Sequence, residues 1–258
     1  MKDIKLRPMT ADDRSEVSDL IYASINVWYR NNGKPRIFHG GPQVCDVFYE
    51  VYNDLTPGSN VVAEHPETGR LMGSCFYHPR ERHVSLGIMN VHPNYFGMGV
   101  GSRLLKHIID FTNENNYPAL RLTQSAISID SFTLYNKAGF VPRYSYQDMY
   151  ISVPESGLDA KVEGHDRVRS ATLDDVARMA ALEIEVSGIT RELDYRYCIE
   201  NKRGFWNVDV IENAAGELTG WMISSGHSAM NILGPCVART EEDALALIVS
   251  GYNHYPGR

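Results

Sequence analysis

The chain has 258 residues, 43% hydrophobic and 22% charged, with a formal net charge of −7. That composition supplies core for one large domain or two small ones and excludes a disordered or low-complexity chain. The acidic balance argues against nucleic acid as a partner, and no apolar run approaches the ~20 residues of a membrane helix. In chain order, residues 4–8 read as a strand. Residues 12–30 read as a helix with Val17, Leu20, Ile21 and Ile25 on one face. Residues 31–42 form a Gly/Pro-rich loop, and 43–53 a second helix. Strands are predicted over 60–64 and 71–77, joined by a Pro/Gly turn, and over 84–91. A helix over 99–113, a strand over 119–123 and a helix over 128–137 follow. Residues 140–143 and 147–153 read as closing strands. This is mixed α/β with a central antiparallel run, not the strict alternation of a doubly wound fold.

The opening Met1-Lys2-Asp3-Ile4-Lys5-Leu6 lacks the apolar core of a secretory signal. Cys45, Cys75, Cys198 and Cys236 form no C-x-x-C pair. The expectation is four reduced, mostly buried thiols in a cytoplasmic protein.

The sequence repeats itself. Leu6-Arg7-Pro8-Met9-Thr10-Ala11-Asp12-Asp13 is echoed by Val168-Arg169-Ser170-Ala171-Thr172-Leu173-Asp174-Asp175. Each copy reads as a short strand, a cap and a helix, with the aspartate pair at the positive end of the helix dipole. Gly69-Arg70-Leu71-Met72-Gly73 then matches Gly216-Glu217-Leu218-Thr219-Gly220 in the same order. Two matches in one order predict a duplicated unit. The Pro/Gly-containing stretch 153–166 reads as a linker, which places the domains at 1–158 and 159–258. Residues 1–158 carry 15 Lys+Arg and 16 Asp+Glu, and the remainder 10 and 16. The first unit is therefore the better host for an anionic ligand.

The sharpest signal is Val91-His92-Pro93-Asn94-Tyr95-Phe96-Gly97-Met98-Gly99-Val100-Gly101-Ser102. An apolar strand ends, and three alternate glycines lead into a helix whose free amides and dipole favour a pyrophosphate. A dinucleotide fingerprint starting at Gly97 would need glycine where Ser102 stands, and no Gly-Lys-Ser/Thr of a phosphate-binding P-loop is present.

The string resembles the acetyl-CoA loop of GNAT-type N-acetyltransferases, V-x-P-x-x-Q/R-x-x-G-x-G/A. Val91, Pro93, Gly99 and Gly101 match, while Phe96 replaces the usual Gln or Arg. Leu134-Tyr135-Asn136-Lys137-Ala138-Gly139-Phe140 is similar to the family's L-Y-x-K-x-G-F element. The resemblance implies a GNAT fold with a splayed central strand, and acetyl-CoA as co-substrate with no metal. It implies that Tyr135 protonates the departing thiolate. It assigns CoA contacts to Phe96, Gly97, Met98, Gly99, Val100, Gly101 and Ser102, and backbone contacts to Met89, Asn90 and Val91. Ser128 takes the place of an asparagine that touches the pantetheine arm; by its residue type it and Ser131 read rather as caps or surface groups.

The resemblance implies transfer of acetyl to the primary amine of a small molecule by direct attack, with a backbone amide near Val91 polarising the carbonyl. A non-catalytic acyl-CoA-binding module and acetylation of a protein amine are the alternatives. No Asp or Glu lies in 84–91, so no base stands on that strand. Glu81, His83, His78 and His92 flank it and read as turn or rim residues. The loop with Tyr29, Arg30, Lys34, Arg36, Phe38 and His39 suits either an acceptor carboxylate or plain solvent.

In the second half, Arg239-Thr240-Glu241-Glu242-Asp243 stands where the phosphate loop should be. Carboxylates there repel pyrophosphate and satisfy the amides themselves. This half reads as a degenerate GNAT-like unit that does not bind CoA. A full unit would add a strand, a helix and a strand after residue 258, so the copy reads as incomplete. Its expected role is a wall for the acceptor cleft or the interface of a homodimer. Neither nucleic acid nor membrane is expected as a partner.

Overall fold

The computed structural model describes residues 4–125, 127–146 and 149–258. The chain divides into two compact units, residues 1–147 and 148–258. This division precedes the boundary expected at 158/159. The reason is local: Gly257 N–H bonds Val153 O, and Leu158 N–H donates to Asn253 Oδ1 at 2.7 Å, which ties the expected linker to the chain end.

The first unit is a five-stranded mixed sheet in the order β1 (Lys5–Arg7), β2 (Asn60–Glu64), β3 (Leu71–Pro79), β4 (Val84–Val91) and β5 (Leu120–Arg121). All neighbours are antiparallel except β4 and β5, which run parallel. Helices α1 (Arg14–Asn31) and α2 (Asp46–Leu55) precede β2. Helix α3 (Val100–Glu114) follows β4, and α4 (Ile129–Lys137) follows β5. The core on the α3 face joins Val61, Cys75, Tyr77, Val84 and Leu86 to Leu104, Leu105 and Ile108, whose spacing is that of one helical stripe.

One irregularity shapes this sheet. Cys75 pairs with Met89 and Tyr77 with Leu86, so Gly87 and Ile88 together oppose Phe76. This is a bulge in β4, and it reverses which residues face α3. Leu86 faces α3 before it, and Met89 and Val91 do so after it.

The second unit holds an antiparallel sheet in the order β6 (Val168–Ser170), β7 (Trp206–Glu212), β8 (Leu218–His227) and β9 (Met230–Ala238). Helices α5 (Val176–Ser187) and α6 (Glu192–Glu200) lie between β6 and β7, and α7 (Glu241–Asn253) follows β9. The register repeats that of the first unit. Met222 pairs with Cys236 and Ser224 with Leu233, so Gly234 and Pro235 oppose Ile223. Gly234 thus takes the place of Gly87.

The closing strands expected after residue 140 do not form. Residues 140–146 and 149–153 are irregular, and Gln147 and Asp148 lie outside the described residues. Val141, Tyr144, Tyr146, Met149 and Tyr150 are exposed. Their β-branched and aromatic character reads as strand, but β5 pairs over two residues only and offers no ladder to extend. All four cysteines are free; Cys45, Cys75 and Cys198 are buried and Cys236 is exposed.

Candidate active site

The site begins where β4 and β5 part. They pair at Val84–Leu120 and Ser85–Arg121 and no further. Val84 N–H points to this edge, donating to Ala119 O at 2.9 Å, whereas His92 N–H points the other way, to Met72 O at 2.8 Å. Strand backbone alternates, and the bulge adds one step. The backbone groups of Leu86, Met89 and Val91 therefore face the open edge. Asn90 turns its backbone to β3, and Leu86, which is not among the expected site residues, presents its backbone to the open edge. Gly87 inside a strand was the available signal.

At the end of this edge the chain makes a short 3-10 turn, Pro93–Tyr95, and then two left-handed glycines, Gly97 at φ +75° and Gly99 at φ +83°. No atom lies within 4 Å of the Cβ that either would carry. Glycine here therefore answers a backbone need and leaves the approach open. Gly99 caps α3 without a side-chain hydrogen bond. The first amides of the helix, Val100, Gly101 and Ser102, have no intrahelical acceptor. No acidic residue stands in its first turn. Phe96 and Met98 are exposed on this loop, Phe96 at 47%. Gly101 instead faces inward: its Cβ would meet Leu134 at 3.4 Å and Val91 at 3.7 Å, ordinary packing distances.

Helix α4 brings Tyr135 against the same core cluster as Met89 and Val91. Its ring lies 5.7 Å from that of Phe140. Burial, and then the nearby Cys75 thiol, pushes its phenol up to about 12. The hydroxyl therefore stays protonated at neutral pH. Ser128 is the N-cap residue of α4, and its hydroxyl donates to Ser131 at 2.9 Å, which satisfies both within the helix start.

On the opposite sheet face, α1 and α2 cover β3 and β4. The loop between these helices is pinned rather than free: Asn26 Nδ2 donates to Phe38 O and Phe38 N–H to Asn26 Oδ1, both at 3.1 Å. Phe38 is buried, while Arg30, Lys34, Arg36 and His39 are exposed. His78 and His83, expected at the rim, are both buried. His78 Nδ1 shares a 2.6 Å hydrogen bond with Thr56 Oγ1, and its ring packs 4.7 Å from Tyr52. Burial, then the Arg80 charge, pushes it down to about 3. It is neutral and held in the sheet. Glu81 is exposed and His92 half-buried.

Residues 29–140 match the sequence profile of the acetyltransferase (GNAT) family. This segment is a GNAT domain. The whole chain is similar in fold to a Pyrococcus horikoshii protein solved as a candidate acetyltransferase, at 16% identity and a TM-score of 0.73. That match covers 100% of this chain and 79% of the other. Lesser likenesses are to a tetramutant of BH1408 from Bacillus halodurans (16% identity, TM-score 0.47, 57% of this chain and 99% of that) and to the ribosomal-protein-S18-alanine N-acetyltransferase of Escherichia coli (16%, 0.42, 55% and 80%). No curated protein matches in sequence. Among the described residues no helix is long and apolar enough to cross a membrane, and no group of three His, Cys, Asp or Glu could hold a metal.

The second unit lacks the features that make the GNAT site. Its β9 ends at Ala238 and α7 starts at Glu241, so two residues stand where the GNAT domain has the glycine loop. Thr240 Oγ1 accepts from Asp243 N–H at 3.1 Å, and Glu241, Glu242 and Asp243 fill the first turn. The helix start is satisfied from within and carries the charge that an anion would meet.

Proposed function

We propose that the GNAT domain is an acetyl-CoA-dependent N-acetyltransferase that acetylates the primary amine of a small molecule by direct attack. One observation carries this reading. The open edge of β4, with the Leu86, Met89 and Val91 backbones, runs straight into the left-handed glycines and the amide-lined start of α3. An extended amide-bearing arm that ends in a pyrophosphate fits this path, and the residues present suit acetyl-CoA. Phe96 contributes no polar group, so the amides of Val100, Gly101 and Ser102 and the glycines carry the phosphates.

Acetyl-CoA, when bound, supplies a thioester. The Met89 and Val91 N–H groups are donors held in place for its carbonyl oxygen. Tyr135 Oη holds its proton for the leaving sulfur. A phenol near 12 does not surrender a proton outright to a thiol of ordinary acidity, ~8.5. Its role is a hydrogen bond to the sulfur as charge grows there. The acceptor amine must be neutral to attack, so a base or a water chain takes its proton; β4 carries no carboxylate, and His78, pushed down to about 3 by burial, is a weak base.

The test is thiol release from acetyl-CoA across a panel of amines, for the wild type and Tyr135→Phe. Tyr135→Phe should lower kcat about 10- to 100-fold, the worth of one hydrogen bond to a charged atom. CoA binding without thiol release from any amine would replace transfer by a non-catalytic acyl-CoA-binding module. Release with peptide amines alone would move the acceptor to protein. Absence of CoA binding sinks all three readings.

A further inference from the structure

Ser74 and Asn90 are directly opposed on β3 and β4. Residues so paired project to the same sheet face with Cβ atoms ~5 Å apart. The face is that of α1, because Ser24 Oγ donates to Asn90 Oδ1 at 2.9 Å. Ser74 is 0% exposed and Asn90 7%. Among the described residues Ser74 Oγ and Asn90 Nδ2 are both buried without a hydrogen-bond partner, and they do not bond to each other. An unsatisfied buried donor is costly, and two polar groups facing one another in this state call for a third group between them.

The second unit fills the same register position with a large ring. Its register sets Trp221 opposite Val237, flanked by Gly220–Ala238 and Met222–Cys236, as Ser74–Asn90 is flanked by Gly73–Val91 and Cys75–Met89. Trp221 is fully buried and its ring packs 5.0 Å from Tyr195. Trp221 Nε1 is itself buried without a hydrogen-bond partner among the described residues, but it faces the isopropyl group of Val237, whereas in the GNAT domain two unsatisfied polar groups, a hydroxymethyl and a carboxamide, face one another. Asn90 also lies between Met89 and Val91, the residues whose backbones face the open edge.

We infer that Ser24, Ser74 and Asn90 form an acceptor-recognition socket for a neutral hydrogen-bonding group, a hydroxyl or a carboxamide, carried by the amine substrate. This inference rests on the acetyltransferase reading and names its acceptor class. The three side chains are uncharged, and among the described residues no cation bonds to any of them. A carboxylate would lose its water here without gaining an opposite charge, a far larger cost than that of a neutral group. Asn90 Nδ2 donates to the group's oxygen, and the Ser74 hydroxyl either donates to it or accepts from it.

The experiment is calorimetric binding of matched amines to the full chain, run beside the thiol-release assay. Ethanolamine is paired with propylamine and β-alaninamide with butylamine, and β-alanine provides the carboxylate. The wild type should bind ethanolamine and β-alaninamide about tenfold more tightly than their partners and than β-alanine. Ser74→Ala and Asn90→Leu should each erase that preference while Ser74→Ala keeps the wild-type melting curve. Should Asn90→Leu fail to fold, Ser74→Ala and Ser74→Val decide alone. Equal binding within pairs, tighter β-alanine, a preference that survives in the variants, or no amine binding at all overturns the socket and leaves these atoms holding an ordered water only. Preference without thiol release would sink the transferase reading and keep the socket; thiol release without preference does the reverse.

Discussion

Arg169 clasps the Asp175 carboxylate with both terminal guanidinium nitrogens, each at 2.8 Å. In the first unit Arg7 grips Asp13 likewise, at 2.7 and 2.8 Å, and each arginine also reaches a carboxylate at the end of the second strand, Glu64 or Glu212. Asp13 and Asp175 accept as well from the N–H of Thr10 and Thr172. The sequence match between the two openings is thus a match of one interaction that ties a strand to a helix start. The arginine, more than any other partner, holds each aspartate below its usual range, Asp175 at about 2.

Arg169→Met should raise hydrogen-exchange rates in α5 and leave α1 unchanged; Arg7→Met should do the reverse. Each loss should be about 1.5–3 kcal/mol, typical of hydrogen bonds to a buried charge. The aspartate contribution is fully present above pH ~4 and is lost as pH falls through the folded value near 2. The difference between Arg169→Met and wild type should therefore shrink with acid. Equal exchange in both helices of either variant would count against the assignment.

The bulge should make Gly87 intolerant of any side chain. A Cβ there would lie 2.9 Å from His78 Nε2 and 3.0 Å from Phe76 O. Gly87→Ala should cost about 1–3 kcal/mol in a urea titration, as overpacking does. Part of that loss should be recovered when His78→Ala is added, because a ring nitrogen can be removed and a carbonyl cannot. Strict additivity of the two changes would show that the ring is not what the methyl meets.

The two helix starts should respond oppositely. Gly99→Glu places a carboxylate at the amide-lined end of α3 and strains a φ of +83°, so CoA binding should be lost. Thr240→Ala removes the cap of α7 and should cost about 1 kcal/mol of stability with CoA affinity unchanged. Equal loss of CoA binding in the two variants would overturn the assignment of the second unit as a non-binding copy.

His254 links stability of the second unit to pH. Its Nε2 lies 2.9 Å from Asp209 Oδ2, and this hydrogen bond raises its pKa above 6.5. A raised histidine contributes stability below pH ~6.5 and loses it as pH rises through the folded value. The melting midpoint should therefore be higher near pH 6 than near pH 8.5, and His254→Gln should flatten the difference. A variant with the wild-type slope would remove this pair from the account.

Much of the fold is legible from local pattern. The strands at 60–64 and 84–91 emerge with the bounds that the structure gives, because β-branched runs there are fenced by Pro, Gly and charged residues. The glycine loop and the acidic start of α7 are likewise local signals. The bulge is not legible in this way, since it is a property of register between β3 and β4, and with it went the direction in which the Leu86 and Asn90 backbones face. The burial of His78 depends on Tyr52 and Thr56 from a separate helix. The closing strands fail for the converse reason: residues 141–146 and 149–151 have strand propensity but no partner edge among the described residues.

The shared bulge separates inheritance from use. Gly87–Ile88 and Gly234–Pro235 make the same insertion against Phe76 and Ile223. Only the first is followed by a loop open to an anion. Pro235 lacks the N–H that Ile88 has, so the second unit makes the bend with one donor fewer. The bend is thus a property of the sheet register and stands with the glycine loop or without it. The kinked strand is common to both units, and the stretch between strand and helix is where they differ.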